Sequence, residues 1–294
     1  MSKIDWRFSQ EGLVKVQGGR IWFGIAGDMR SANDPLLVIH GGPGMSHDYL
    51  YPLTDLSLER AVIFYDQLDA GRSDRPNNPE NWNLERFLGE IDVLRDHLGL
   101  EDLCLFGNSW GGTLAAAYGA GQSGGVKKLV LSSPLLNTDQ WLSDNALYRN
   151  ALPANLRQVM EECESNGMTD SPAYIDAVEV FYRRHLCRTD PWPGYVIDTF
   201  DKLNETCYAG MWGPNEFTCT GILSGYDGTS ELKKIKAPTL ITCGQFDEAT
   251  PATCQSYAEI IPNSKVLVFE DSSHFAFVEQ RSIFKKEVED FLST

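Results

Sequence analysis

The stretch Leu103-Cys104-Leu105-Phe106-Gly107-Asn108-Ser109-Trp110-Gly111-Gly112-Thr113-Leu114-Ala115-Ala116-Ala117 decides the fold. A short apolar run of the kind that fills a buried strand opens it. A small-residue, Ala-rich run suited to a helix packed tightly on a sheet closes it. Between them lies Gly-x-Ser-x-Gly, the pattern of a strand-to-helix turn that presents a serine nucleophile. The serine at the apex takes a strained backbone conformation, and side chains at Gly107 or Gly111 would collide where strand and helix close up. The helix that follows points free N–H groups and a partial positive charge at the hydroxyl. Ser109 is the candidate nucleophile.

Outward from this turn, strands alternate with helical patterns. Residues 12–26 read as a hairpin around Gly18-Gly19. Pro35–His40 is an apolar strand that ends abruptly in Gly41-Gly42-Pro43-Gly44, and Ala61–Asp66 is a second buried strand. Asn83 can cap a helix carrying Leu84, Phe87, Leu88, Ile91, Leu94 and Leu98, and Gly99 can end it. Val126–Leu131 is the next strand, Pro238–Cys243 and Lys265–Phe269 come late, and a helix from about Glu279 to Leu292 closes the chain. The rhythm predicts an α/β fold with a mainly parallel central sheet. It breaks between 135 and 230, where helical patterns such as Leu156–Cys163 and Tyr174–Leu186 run without clear strands. The expected organisation is a core of 1–134 and 231–294 with a helical cap, 135–230, over the active edge of the sheet.

Composition narrows the function classes. The 294 residues carry a formal charge of −16, which argues against nucleic acid or an anionic membrane as partner. No apolar run approaches the roughly 18 residues of a membrane span. Met1-Ser2-Lys3-Ile4-Asp5-Trp6-Arg7 holds no apolar signal-peptide core. Seven cysteines, an odd number without C-x-x-C spacing, read as reduced thiols in a cytoplasmic protein and not as a disulfide frame or metal site.

A serine hydroxyl needs a base, and the base needs an orienting carboxylate. With a nucleophile on such a turn, the chain order is Ser, acid, His. Asp247 follows one late strand and His274 the last, so these two are the candidate acid and base. The alternative for Asp247 is a solvated turn carboxylate. Of the other histidines, His97 falls in the amphipathic helix, His185 in the cap, and His40 and His47 flank the glycine loop. The glycines of that loop let backbone N–H groups approach a developing oxyanion. Gly42 and Trp110 are the candidate donors.

His40–Gly44, Gly107–Gly111 with Trp110, and Met211-Trp212-Gly213-Pro214-Asn215-Glu216-Phe217 together resemble the proline iminopeptidases, α/β-hydrolase serine aminopeptidases of which the archaeal tricorn-interacting type is most similar. The resemblance runs over nearly the whole chain. It implies an α/β-hydrolase fold, no cofactor and no metal, and acidic residues that hold the free N-terminal amine of the substrate. The matching positions are Glu216 and Glu248. One departure is Asp69, in Asp66–Ser73, where the family has glycine; the loop adjoins the pocket, so substrate preference is open there. Trp192, Tyr208 and Trp212 are candidates to line the pocket, although aromatic residues of a cap are more often packing.

The resulting expectation is a serine aminopeptidase that releases proline or another small apolar residue from short peptides. An amino-acid amidase or esterase would meet the same pocket, and a non-catalytic binding protein is the reading from another class. Neither the preferred residue nor the oligomeric state is legible in these residues.

Overall fold

The computed structural model describes residues 8–121 and 124–294. The N-terminal stretch 1–7, considered above for a signal-peptide core, lies outside them. Eight strands form one sheet: β1 (Gln10–Val16), β2 (Gly19–Ala26), β3 (Leu36–Ile39), β4 (Val62–Asp66), β5 (Leu103–Asn108), β6 (Val126–Ser132), β7 (Thr239–Gly244) and β8 (Ser264–Phe269). Their spatial order is β1-β2-β4-β3-β5-β6-β7-β8. The pairs β1–β2 and β2–β4 are antiparallel and the rest are parallel. Strands β3, β4, β5 and β7 are buried along their whole length, as continuous apolar runs in a sheet covered on both faces require. The C-terminal ends of β5, β6, β7 and β8 therefore lie side by side along one edge, where open α/β sheets place their sites.

Helix α1 (Leu84–Leu98) starts and stops where its sequence signals stand. The Asn83 side chain accepts the Arg86 N–H at 3.0 Å, and Gly99 closes the helix in the left-handed conformation at φ 66°. Phe87, Ile91 and Leu94 form its buried stripe. Helix α2 (Trp110–Gly121) follows the turn at Ser109 and is buried over most of its length.

Between β6 and β7 there are five α-helices and, among the described residues, no strand: α3 (Thr138–Asn150), α4 (Ala154–Ser165), α5 (Pro172–His185), α6 (Gly194–Asp201) and α7 (Glu205–Met211). Leu152, Met160, Tyr174, Phe181 and Phe217 give α4, α5 and the segment after α7 an apolar cluster of their own. Helix α8 (Pro251–Ile260) joins β7 to β8. No described helix is long and apolar enough to cross a membrane.

Three features differ from the expectation or add to it. A 3₁₀ helix runs over His47–Leu58, where the sequence pattern names no element. The closing helix is broken into α9 (Ala276–Glu279) and α10 (Arg281–Ser293). Beside the break at Gln280, the Glu279 carboxylate accepts the Ser273 N–H at 2.5 Å, the Ser273 hydroxyl at 2.7 Å and the Arg188 N–H, which braces the loop before His274. The third is Asp69. It takes the left-handed conformation, φ 68°, that glycine would adopt there. Its carboxylate accepts the Trp82 indole N–H at 2.9 Å and the Asn77 N–H at 2.7 Å. Those two bonds hold the side chain in its own loop, so the pocket meets other residues.

Candidate active site

Ser109 sits at φ 56°, the strained left-handed conformation expected at the apex of the turn. A Cβ at Gly107 would strike the Gly111 carbonyl, and one at Gly111 would strike the Ile39 carbonyl. The turn is held by its backbone: Ser109 N–H donates to Ser132 O at 3.1 Å, and Ser109 O accepts from Gly112 at 2.8 Å and Leu135 at 3.2 Å. Ser109 itself is only 8% exposed.

The His274 Nδ1–Asp247 Oδ1 distance is 2.8 Å, and both side chains are buried. Asp247 also accepts the Ala249 N–H at 2.9 Å, the Gly244 N–H at 3.1 Å and the Ser133 hydroxyl at 2.5 Å. Four donors on one buried carboxylate rule out the solvated turn and fix the acid beside the base. Ser133, which no sequence motif marks, stands at φ 50° at the end of β6. The helical segment between β6 and β7 contacts the loop of His274 directly: His274 N–H donates to His185 O and Phe275 N–H to Leu186 O, each at 3.1 Å. His185 Nδ1 in turn lies 2.8 Å from Phe246 O, and its ring stacks on Tyr148. His47 pairs with Asp66 at 2.8 Å and stacks on Trp22, while His97 is exposed on α1 beside Phe23. The nucleophile, acid and base candidates follow the C-terminal ends of β5, β7 and β8, where Asp247 and His274 pair.

The glycine loop reaches the same point, since a Cβ at Gly41 would lie 3.0 Å from Ser109 Cβ. Among the described residues, the Gly42 N–H has no hydrogen-bond acceptor, whereas the Gly41 N–H is taken by Tyr49. Trp110 is the first residue of α2, so its N–H lies among those that a helix leaves unpaired.

Glu216 comes from the segment after α7. Its Oε1 accepts the Tyr208 hydroxyl at 2.6 Å, and its carbonyl accepts the Trp141 indole N–H at 3.0 Å. It lines a cavity of about 350 Å³ with Met45, Tyr182, Phe200, Leu203 and Tyr208. A larger cavity, about 680 Å³ along α1, contains none of the candidate residues. Of the three aromatic residues singled out in the cap, Tyr208 alone lines the first cavity. Trp192 stacks on Phe200 beside a neighbouring cap cavity. Trp212 packs edge-on against Trp141 and donates to Asn215 O.

Glu248, next to Asp247, is fully buried, and neither carboxylate oxygen has a hydrogen-bond partner among the described residues. Burial raises the pKa of both glutamates. At Glu216 the Tyr208 hydrogen bond and His274 oppose the rise; at Glu248 the charges of Glu216 and Asp247 add to it and push the carboxyl well above its usual range. A carboxyl whose pKa is higher folded than unfolded binds a proton on folding, so the fold loses stability as pH rises through that range. Glu248→Gln is therefore expected to melt above the wild type at neutral pH, by about 2–4 °C per kcal/mol regained. The gap should close below about pH 4, where the unfolded carboxyl is protonated as well. Thermal melts at the two pH values check this; a variant that melts below the wild type at neutral pH would contradict it.

The comparisons with known proteins agree with this fold. Residues 34–280 match the family model described as the alpha/beta hydrolase fold. A proline iminopeptidase of Heyndrickxia coagulans is 40% identical over 285 residues, covering 97% of this chain and 99% of that protein. Among solved structures, VinJ superposes with a TM-score of 0.94 at 34% identity, covering 97% of this chain and 99% of that one. A proline iminopeptidase of Mycobacterium smegmatis superposes at 0.90 with 32% identity, covering 97% and 98%.

Proposed function

The chain belongs to the proline iminopeptidases, serine aminopeptidases of the α/β-hydrolase family, and we propose that it releases an N-terminal proline or another small apolar residue from short peptides through an acyl-enzyme on Ser109. His274 takes the Ser109 proton as the hydroxyl attacks the first peptide carbonyl, and Asp247 holds the imidazole in the required tautomer. The N–H groups of Gly42 and Trp110 receive the oxyanion. His274 then protonates the leaving amine, and water, activated by the same imidazole, releases the acid. Glu216 and Glu248 hold the substrate ammonium by charge-assisted hydrogen bonds. The helices of 135–230 act as a cap that restricts entry to peptides and amino-acid amides. Nucleic acid and membrane have no part in this reading, and the unpaired cysteines fit a cytoplasmic setting.

The observation that carries the proposal is Glu248. A buried carboxylate without a partner is costly, and here it lies next to Asp247, within the electrostatic reach of the half-buried Glu216. A substrate ammonium supplies the partner that Glu248 lacks and favours its ionised form. The cavity beside Glu216, lined by Met45, Phe200 and Leu203 and also by Glu205, favours a small apolar side chain over an acidic one. A panel of amino-acyl chromogenic amides tests this: proline and small apolar residues should give the highest kcat/KM, acidic residues the lowest. Turnover of esters with none of any amino-acyl amide would overturn it in favour of an esterase.

A further inference from the structure

An oxyanion donor helps only if its N–H already points to where charge develops. The Gly42 N–H shares one trans peptide with the Gly41 carbonyl, so the two point to opposite sides of the chain. Whatever fixes that carbonyl aims that N–H. The Gly41 carbonyl lies 2.8 Å from His40 Nδ1. His40 Nε2 accepts the Gln67 backbone N–H at 2.9 Å, and a backbone N–H can only donate. The imidazole proton is therefore on Nδ1 and points at the carbonyl. Burial lowers the His40 pKa and keeps the ring neutral. Gln67 continues the chain of bonds: its Nε2 donates to His40 O at 2.8 Å, and its Oε1 accepts the Trp110 indole N–H at 2.9 Å.

A second chain of bonds holds the preceding peptide. The Gly41 N–H donates to the Tyr49 hydroxyl at 2.7 Å, and that hydroxyl donates to Asn108 Oδ1 at 2.8 Å. Asn108 Nδ2 donates to Ser132 O at 3.1 Å. Tyr49 and His40 are fully buried, and the Tyr49 ring packs on Phe275. The two chains end on Asn108 and Trp110, the residues on either side of Ser109. Both peptides that flank Gly41 are thus tied to the neighbours of the nucleophile.

We propose that His40 and Tyr49 are positioning residues that register the Gly41–Gly42 peptide on the nucleophile turn and aim the Gly42 N–H into the oxyanion site. The proposal rests on Gly42 being the donor. Neither residue touches substrate, so their loss should leave binding intact and slow the chemical step. Removing an oxyanion donor outright costs about 10²–10³ in kcat, and a misaimed donor should cost less, about 10- to 100-fold.

The test compares Tyr49→Phe, His40→Leu and His40→Asn on two substrates, proline anilide and a simple acetate ester. Tyr49→Phe and His40→Leu should lower kcat about 10- to 100-fold on both, with KM within about twofold of the wild type. His40→Asn keeps an N–H donor near the position of Nδ1 and should recover part of the loss. The ester needs the oxyanion site but not the amine clamp, so failure of the clamp reading would leave this result unchanged. Wild-type kcat on the ester in Tyr49→Phe and His40→Leu would overturn the proposal. So would a loss confined to KM, or equal losses in His40→Leu and His40→Asn. Should His40→Leu not fold, Tyr49→Phe, which removes one oxygen, carries the test on its own.

Discussion

Ser109→Ala is expected to fold like the wild type and to lose about 10⁶ in kcat, the scale on which removal of a serine nucleophile acts in this type of triad. Folding should survive because the bonds that hold the turn come from the Ser109 backbone, not its hydroxyl. Alanine meets the same left-handed backbone at φ 56° that serine does. The residual rate should come from binding and from the N–H groups of Gly42 and Trp110, which the substitution leaves in place. Steady-state turnover of proline anilide by the purified variant, beside a melting curve, checks both halves. A serine-reactive phosphonate should label the wild type at Ser109 and leave the variant unmodified. A variant with an intact rate would remove Ser109 from the mechanism.

The second large effect is expected at Glu216→Gln. The amide keeps an acceptor for the Tyr208 hydroxyl, so the cap segment that carries residue 216 should hold its place. What disappears is the negative charge facing the substrate ammonium. A hydrogen bond to a charged group contributes roughly 1.5–3 kcal/mol, so kcat/KM on proline anilide should fall about 10- to 100-fold. An acetate ester carries no ammonium and should be cleaved at nearly the wild-type rate. The pair of substrates separates loss of the clamp from damage to the fold, which would slow both. Equal losses on the two would contradict the assignment of Glu216.

The parts of the site that were legible in the sequence are those fixed by neighbours close along the chain. Gly107 and Gly111 flank Ser109 because strand and helix close up there, and Asn83 and Gly99 mark the ends of α1 through local caps. Asp247 and His274 could be placed because strand ends follow apolar runs. The remainder depends on contacts that no local pattern records. Tyr49 meets Asn108 across 59 positions, and Ser133 meets Asp247 across 114. The helix break at Gln280 stands beside the bonds that Glu279 makes to Ser273, and Asp69 is held by Trp82 and Asn77. The 3₁₀ segment His47–Leu58 buries Tyr49, Leu50, Leu53 and Leu56 at helical spacing, but Pro52 in its middle withholds a backbone N–H and masks the pattern. Tertiary partners decide each of these.

Two carboxylates, the half-buried Glu216 and the buried Glu248, turn a serine hydrolase into an enzyme for free N-termini. The most direct measurement is kcat/KM of the wild type on proline anilide against N-acetylproline anilide, where the scissile bond is the same. Acetylation removes the charge and the N–H donors together. A preference of at least about 100-fold for the free amine is expected. Equal cleavage of the two would contradict it.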